Sequence, residues 1–150
     1  MEIAIGSDHA GVQLKRDIIA ILAEEGYNTI DCGAYTEEAV DYPDIAEIVA
    51  STVLHKNILG ILVCGTGIGI SIAANKIPGI RAALCHDLFT ARLAREHNDA
   101  NILAIGSRIT GSGLAGEIVK IFIKTTFAAG RHQRRVEKIT ELENKYRERV

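Results

Sequence analysis

The chain has 150 residues and a mass of 16.2 kDa, with 47% hydrophobic and 24% charged residues. These values are typical of one compact globular domain and exclude a disordered or collagen-like chain. A formal net charge of −2 argues against an overall basic field that would bind nucleic acid. No apolar run approaches the roughly 18 residues of a membrane-spanning helix, and the first residues lack the pattern of a signal peptide.

Short β-branched runs alternate with longer helical patterns along the chain. Five strands are predicted, at residues 2–5, 27–31, 58–63, 80–84 and 101–105. Helices are predicted between and after them, at residues 11–25, 45–54, 70–76, 88–97 and 114–125. This alternation predicts βαβ units and therefore a parallel sheet covered by helices on both faces. We find no linker to a second domain, so residues 1–150 are expected to form a single domain.

The last segment, residues 131–150, differs in charge from the rest of the chain. It holds seven basic and four acidic residues. Apolar residues recur at helical spacing and predict an amphipathic helix; they are Val136, Ile139, Leu142 and Tyr146. Such a helix packs on its own domain, or it docks on a partner subunit and brings basic groups to an anion. Arg131 and Arg135 are four residues apart, a spacing that places both on one helical face.

The polar residues that follow the strands are the candidates for a binding site, because ligands of open α/β sheets lie beyond the carboxyl ends of the strands. Ser7, Asp8 and His9 follow the first strand, residues 64–69 follow the third, and residues 106–108 follow the fifth. Their coincidence at such strand ends is stronger evidence for a site than any single residue.

The segment Gly65-Thr66-Gly67-Ile68-Gly69 is a glycine-rich turn between a strand and a helix. Backbone amides in such a turn converge on one point, where they bind a phosphate or stabilise an oxyanion. The alternative is a tight turn that needs small residues for packing. The spacing matches neither the dinucleotide fingerprint nor the P-loop.

Cys64 lies at the mouth of this turn, where converging amides favour the thiolate, a nucleophile or general base. The alternative for Cys64 is a small buried hydrophobic residue. Cys32 and Cys85 lack the neighbouring glycines and are assigned to that structural role. Three widely spaced cysteines argue against a disulfide framework or a zinc site and favour the reducing cytoplasm. His97 closes the fourth helix, where protonation is favoured by the helix dipole.

Six stretches of the chain resemble ribose-5-phosphate isomerase type B, in the wider family of pentose and hexose phosphate isomerases. The resemblance implies a Rossmann-like α/β/α sandwich with a five-stranded parallel sheet, working as a homodimer or homotetramer with active sites shared between subunits. It implies no metal and no organic cofactor. The matching stretches are GSDHAG at 6–11, DYPD at 41–44, CGTGIGISIAANK at 64–76, GIRAA at 79–83, HNDANILAIGSR at 97–108 and GRHQRRVEKI at 130–139.

The resemblance also implies a role for each matching position. Cys64 is the expected base between C1 and C2, Thr66 assists at Cys64 or the substrate oxygens, and His97 opens the sugar ring. One branch of the family uses a glutamate as base at the position of Ile70, so this chain resembles the cysteine-base branch. The expected anion hole is formed by Gly65, Gly67 and Gly69. The expected sugar contacts are Asp8, Tyr42 and Asn98. The expected phosphate ligands, partly from the neighbouring subunit, are His9, Arg108, Arg131, His132 and Arg135.

Three functions remain open on the sequence alone. The first is the interconversion of ribose 5-phosphate and ribulose 5-phosphate through an enediolate. The second is the same chemistry on a hexose or rare-sugar phosphate, such as allose 6-phosphate or galactose 6-phosphate. The third is a sugar-phosphate-binding protein without activity, which would have no need for both Cys64 and His97. Nucleic acid and membrane partners are not expected.

Overall fold

The computed structural model describes residues 1–147. The strands are β1 (Glu2–Ser7), β2 (Asn28–Asp31), β3 (Leu59–Cys64), β4 (Ala82–Leu84) and β5 (Ile102–Gly106). The α-helices are α1 (Val12–Glu24), α2 (Tyr42–Lys56), α3 (Ile68–Ala74), α4 (Leu88–Asn98), α5 (Ser112–Lys124) and α6 (Gln133–Arg147). Short 3₁₀ turns precede α1 and α6, at His9–Gly11 and Gly130–His132.

All strand pairings in the described chain are parallel, and the strand order is β2-β1-β3-β5-β4. The predicted five-stranded parallel sheet is therefore confirmed. Helices α1, α4 and α5 pack on one face of the sheet, and α2 and α3 pack on the other. The order reverses at β1 and β3, which are neighbours although β2 lies between them in sequence. A ligand site is expected at the carboxyl ends of these central strands.

Strand β3 is buried on both faces, as its uninterrupted apolar sequence predicts. Ile61 and Val63 belong to the core under α1 and α5, whereas Leu62 and Cys64 belong to the core under α2 and α3. Full burial of an isoleucine or leucine side chain stabilises the fold by about 1.5–3 kcal/mol. The alternation along β3 therefore fixes the face on which Cys64 emerges.

Five of the six α-helices in residues 1–147 begin one to three residues from the predicted position, and the shifts at α2, α3 and α6 concern residues singled out in the sequence. Helix α2 begins at Tyr42 rather than residue 45, because Pro43 in its first turn has a backbone angle that suits a helix start. Helix α3 begins at Ile68, directly after the left-handed Gly67. Helix α6 begins at Gln133, so Arg131 lies in the preceding 3₁₀ turn. The prediction that Arg131 and Arg135 share one face of an α-helix is therefore wrong. The predicted end of this helix, residues 148–150, lies outside the described residues.

The outer edge of β4 is covered by the side chain of Asn75. The Ala82 amide donates to Asn75 Oδ1 at 2.8 Å, and Asn75 Nδ2 donates to the Ala82 carbonyl at 2.9 Å. One side-chain amide thus occupies both backbone groups that this edge residue would offer to another strand.

None of the helices within residues 1–147 combines the length and the apolar character needed to cross a lipid bilayer.

Candidate functional site

The carboxyl ends of β1, β3 and β5 meet at one edge of the sheet. In the strand register, Ser7 is opposite Val63, and Cys64 is opposite Gly106. The residues that follow these strands are therefore neighbours, as the sequence predicts. Asp8 is tied to this edge by its amide, which donates to the Val63 carbonyl at 3.1 Å.

The glycine turn after β3 packs tightly against β5. Gly67 has a φ of 78°, and a Cβ built on it would lie 2.5 Å from Leu84 Cδ1 and 3.0 Å from the Ile105 carbonyl carbon. Gly106 is equally restricted, since its Cβ would lie 2.6 Å from the carbonyl carbon of Thr66. Because any larger side chain at Gly67 or Gly106 would clash with backbone, tight packing accounts for these two glycines.

Cys64 points into this turn. The Gly67 amide donates to Cys64 Sγ at 3.1 Å, and the cysteine is 5% exposed. The exposed Thr66 lies beside it, with Oγ1 accepting from the Ile68 amide at 3.3 Å. The turn thus supplies a sulfur, a hydroxyl and a set of amides within a few residues.

Two side chains border the turn on either side, and each rests on a glycine. A Cβ on Gly69 would lie 2.7 Å from Cζ of Tyr42, and a Cβ on Gly65 would lie 3.1 Å from a guanidinium nitrogen of Arg108. The Arg108 amide also donates to the Gly65 carbonyl at 3.0 Å. Gly65 and Gly69 therefore make room for a phenol and a cation next to Cys64.

Asp8 and His9 complete this edge, but both already have partners. Asp8 is 7% exposed, and its Oδ1 accepts from the amides of Ala10 and Gly11 at 3.0 and 3.2 Å. His9 is exposed, and its Nδ1 accepts from the Val40 amide at 3.3 Å. His9 thereby holds the loop that leads to Tyr42. We call these groups the carboxyl-edge cluster; it consists of Asp8, His9, Tyr42, residues 64–69 and Arg108.

His97 and Asn98 lie at the opposite edge of the sheet. They end α4, which precedes β5, whereas Arg108 follows β5. The five residues of β5 are joined by four steps of roughly 3.3 Å, so the strand separates the two edges by about 13 Å. The end of α4 is held in place by Arg81, whose Nε donates to the Asn98 and Asp99 carbonyls at 3.1 Å.

The basic residues around the start of α6 lie beside His97. The His97 and His132 rings are stacked, with centroids 4.1 Å apart and planes 10° from parallel. We call this group the amino-edge cluster; it consists of His97, Asn98, Arg131, His132 and Arg135. The predicted site residues thus form two clusters, and the structure does not bring them together within one chain.

The family model described as ribose/galactose isomerase matches residues 3–139. The chain belongs to this family. It is 49% identical to ribose-5-phosphate isomerase B of Escherichia coli over 145 residues, covering 96% of this chain and 97% of the relative. Family members with solved structures are similar in fold as well. Ribose-5-phosphate isomerase B of Clostridium thermocellum is 54% identical with a TM-score of 0.95, and 97% of this chain and 99% of that one are covered.

A third family member has been solved with a sugar phosphate. It is ribose-5-phosphate isomerase B of Mycoplasma genitalium with bound ribulose-5-phosphate. That protein is 44% identical to this chain with a TM-score of 0.90, and the match covers 95% of this chain and 96% of that one.

Lys15 is a buried residue near the site that the sequence analysis missed. It is 1% exposed, and its Nζ donates to Asp31 Oδ1 at 2.5 Å and to the Ala34 carbonyl at 2.6 Å. A signal was present in the sequence, because Lys15 lies midway between Val12 and Ile18 on the apolar face of α1. Its ion pair fixes the turn after β2, from which the chain continues to Val40 and Tyr42.

The other cysteines fit the structural role assigned to them. All three cysteines are free, and burial raises the pKa of the Cys32 and Cys85 thiols. A raised pKa leaves less thiolate at neutral pH and lowers reactivity. Among residues 1–147, no three His, Cys, Asp or Glu side chains lie together in a way that would hold a metal ion.

Proposed function

We propose that this chain is a ribose-5-phosphate isomerase, with residues 1–150 acting as one isomerase domain in the cytoplasm. The observation that carries the proposal is the Cys64 sulfur held by the Gly67 amide in a glycine turn. Relatives that carry the name ribose-5-phosphate isomerase B are 49% and 54% identical over nearly the whole chain.

The first step is opening of the furanose ring by His97. A protonated His97 gives its proton to the ring oxygen as the bond from C1 to that oxygen breaks. The anomeric hydroxyl loses its proton to water, so the open-chain aldehyde forms without net change in protons. Asn98 and Asp8 hold the sugar hydroxyls, and Tyr42 borders the sugar.

The second step is proton transfer at Cys64. The thiolate removes the proton from C2, and negative charge develops on the oxygen of C1. Amides of Gly65, Gly67 and Gly69 stabilise this enediolate, as donors aimed at developing charge do. Thr66 passes the proton of the C2 hydroxyl to the oxygen of C1. The proton on sulfur then returns to C1, which leaves a ketone at C2.

The phosphate is held by cations from both clusters. Arg108 lies beside the glycine turn, whereas Arg131, His132 and Arg135 lie at the amino edge. His9 joins the phosphate ligands at the carboxyl edge. Binding energy from the phosphate positions the sugar for reaction at C1 and C2.

Two copies of the chain are needed to build this site. The carboxyl-edge cluster of one chain supplies Cys64, and the amino-edge cluster of the other supplies His97. A dimer is thus the smallest active unit, whether alone or within a tetramer.

The surface of the amino edge supports this arrangement. On α6, Ile139, Leu142 and Tyr146 are 45%, 57% and 56% exposed, an apolar stripe suited to an interface. A cavity of about 810 Å³ between α6 and residues 75–83 has Asn98 in its wall.

Proton NMR of the protein with ribose 5-phosphate in deuterated buffer tests the proposal. Ribulose 5-phosphate is expected with the unchanged chain and not with Cys64→Ala, which should still bind the sugar phosphate. Full activity of Cys64→Ala would overturn the assignment of the base. If the unchanged chain converts a hexose phosphate but not ribose 5-phosphate, the assignment of ribose 5-phosphate as the substrate would be overturned.

A further inference from the structure

His132 lies on His97 because of the way the chain turns before α6. The Ala128 amide donates to the Glu96 carbonyl at 3.0 Å, which ties the turn to α4. Ala129 and Gly130 then have φ angles of 52° and 54°, in the left-handed region. An alanine in this region is strained by an amount that surrounding contacts must offset. The turn therefore serves to bring the His132 ring onto its neighbour.

The two rings are close enough for the charge on one to affect the other. With centroids 4.1 Å apart, protonation of either imidazole opposes protonation of its neighbour. The pKa of His132 is lowered, first by burial, then by His97, Arg131 and Arg135, while Glu96 acts in the opposite direction. These are the charged groups that face His132 from α4 and from its own segment.

We infer that His132 is a positioning residue for His97, which fixes the plane of that ring by stacking and links its protonation to phosphate binding. This inference rests on the proposed function, in which His97 gives a proton to the ring oxygen of the sugar. It differs from a role as a simple phosphate ligand, because His132 acts through His97.

The link to phosphate follows from the charges around the stacked pair. Without substrate, Arg131 and Arg135 add positive charge and disfavour a proton on the His132 ring. A phosphate dianion held by these arginines reverses that balance, since an opposite charge nearby favours the protonated imidazole. His97 thus becomes a proton donor when a phosphorylated sugar is in place.

Two substitutions separate stacking from charge. His132→Phe keeps an aromatic ring on His97 but removes the second proton site, whereas His132→Ala removes both. In His132→Phe, the basic limb of the kcat profile, where the proton of His97 is lost, should move to higher pH by on the order of half a unit. In His132→Ala, kcat should fall about tenfold or more with a smaller change in KM, as loss of ring orientation affects the chemical step. His55→Phe, at an exposed histidine of α2, is the matched control and should change neither quantity.

An NMR titration of the His132 ring tests the coupling without any need for activity. Saturating inorganic phosphate should raise the pKa of His132 in the unchanged chain, and His97→Phe should raise it in the absence of phosphate. An unchanged His132 titration in both conditions would overturn the inference. A kcat profile for His132→Phe identical to that of the unchanged chain would do the same. If ribose 5-phosphate is not converted but the titration behaves as expected, the proposed function fails while the coupled pair stands.

Discussion

The ring of Tyr42 rests directly on Gly69, where a Cβ would lie 2.7 Å from Cζ and 2.9 Å from the phenol oxygen. Tyr42 is the first residue of α2, and Gly69 is the second residue of α3. The contact therefore joins the two helices of one layer at the edge where Cys64 emerges. It also explains why a helix of this chain contains glycine at a position with ordinary helical geometry.

Gly69→Ala should lower activity and also lower stability modestly. The added methyl group displaces the Tyr42 ring at a cost of about 1–3 kcal/mol, while alanine is favoured over glycine in a helix by up to about 1 kcal/mol. We expect KM for ribose 5-phosphate to rise about tenfold, which corresponds to ~1.4 kcal/mol. Steady-state kinetics and thermal unfolding measure the two effects.

Gly113→Ala is the matched control, since a Cβ on Gly113 of α5 meets nothing within 4 Å. It should keep full activity and gain stability. A normal KM in Gly69→Ala would show that the sugar does not depend on the position of Tyr42.

Mixed dimers should recover activity from two inactive variants. In the proposed shared site, the cysteine and the histidine come from different chains, so Cys64→Ala and His97→Asn should each remove one half of every site. In a mixed dimer, one of the two sites has both residues intact. Statistical mixing after joint refolding should therefore restore about a quarter of full activity, given two equivalent sites in a symmetric dimer.

The same experiment has a built-in control. Cys64→Ala mixed with Thr66→Ala should show no more activity than the Thr66→Ala protein alone gives after the same treatment. Both changes fall in the carboxyl-edge cluster, so no chain in this mixture carries that cluster intact. Absence of recovery in the Cys64→Ala and His97→Asn mixture would place Cys64 and His97 of one chain in the same site.

Lys15→Met should destabilise the fold and weaken substrate binding together. It removes the cation that pairs with Asp31 and the donor for the Ala34 carbonyl, both close to the turn after β2. Breaking one partner of a buried ion pair costs about 3–5 kcal/mol, and we expect the lower part of this range because Asp31 is 34% exposed. Urea unfolding measures the loss of stability.

Lys56→Met is the matched control for this change. Lys56 pairs with Glu2, and both side chains are about half exposed, at 50% and 47%. An exposed pair contributes about 0.2–1 kcal/mol, so this variant should unfold close to the unchanged chain. Equal effects of the two substitutions would show that burial of Lys15 has no special role.

The Asp87 cap of α4 should contribute stability only above acidic pH. The Thr90 amide donates to Asp87 Oδ1 at 2.8 Å and the Thr90 hydroxyl to Oδ2 at 2.9 Å, and these bonds lower the pKa of the carboxyl. Because the folded pKa lies below the unfolded value, the contribution is fully present above the unfolded pKa of about 3.9. It is lost as the pH falls through the folded pKa.

Asp87→Ala should therefore unfold at lower urea concentration than the unchanged chain at pH 7, and the difference should shrink as the pH falls below 4. Asp87→Asn keeps a good cap without the titrating group, so its difference should vary less with pH. A constant difference for Asp87→Ala from pH 7 down to acid would contradict the role of the charge.

The sequence is sufficient to predict the sheet and the carboxyl-edge cluster. Apolar runs such as residues 58–63 identify buried strands, and polar residues directly after a strand lie at one edge by the geometry of a parallel sheet. Asp8, Cys64 and Arg108 lie at this edge, as the geometry predicts.

The position of His97 relative to Cys64 required the fold. A residue that closes a helix before a strand lies at the edge opposite to one that follows a strand, and this relation depends on strand direction rather than on residue type. The stacking of His132 on His97 likewise could not be predicted from the sequence. It results from a turn with left-handed Ala129, a conformation that alanine rarely adopts and that sequence patterns do not reveal.

The side chain of Asn75 has a consequence for how copies of this chain meet. Its carboxamide makes the two hydrogen bonds with Ala82 that one residue of a sixth strand would make. A neighbouring chain could extend the sheet at this edge only by displacing the carboxamide first. Extension of the sheet by a further strand at Ala82 of β4 is thereby opposed by one side-chain amide.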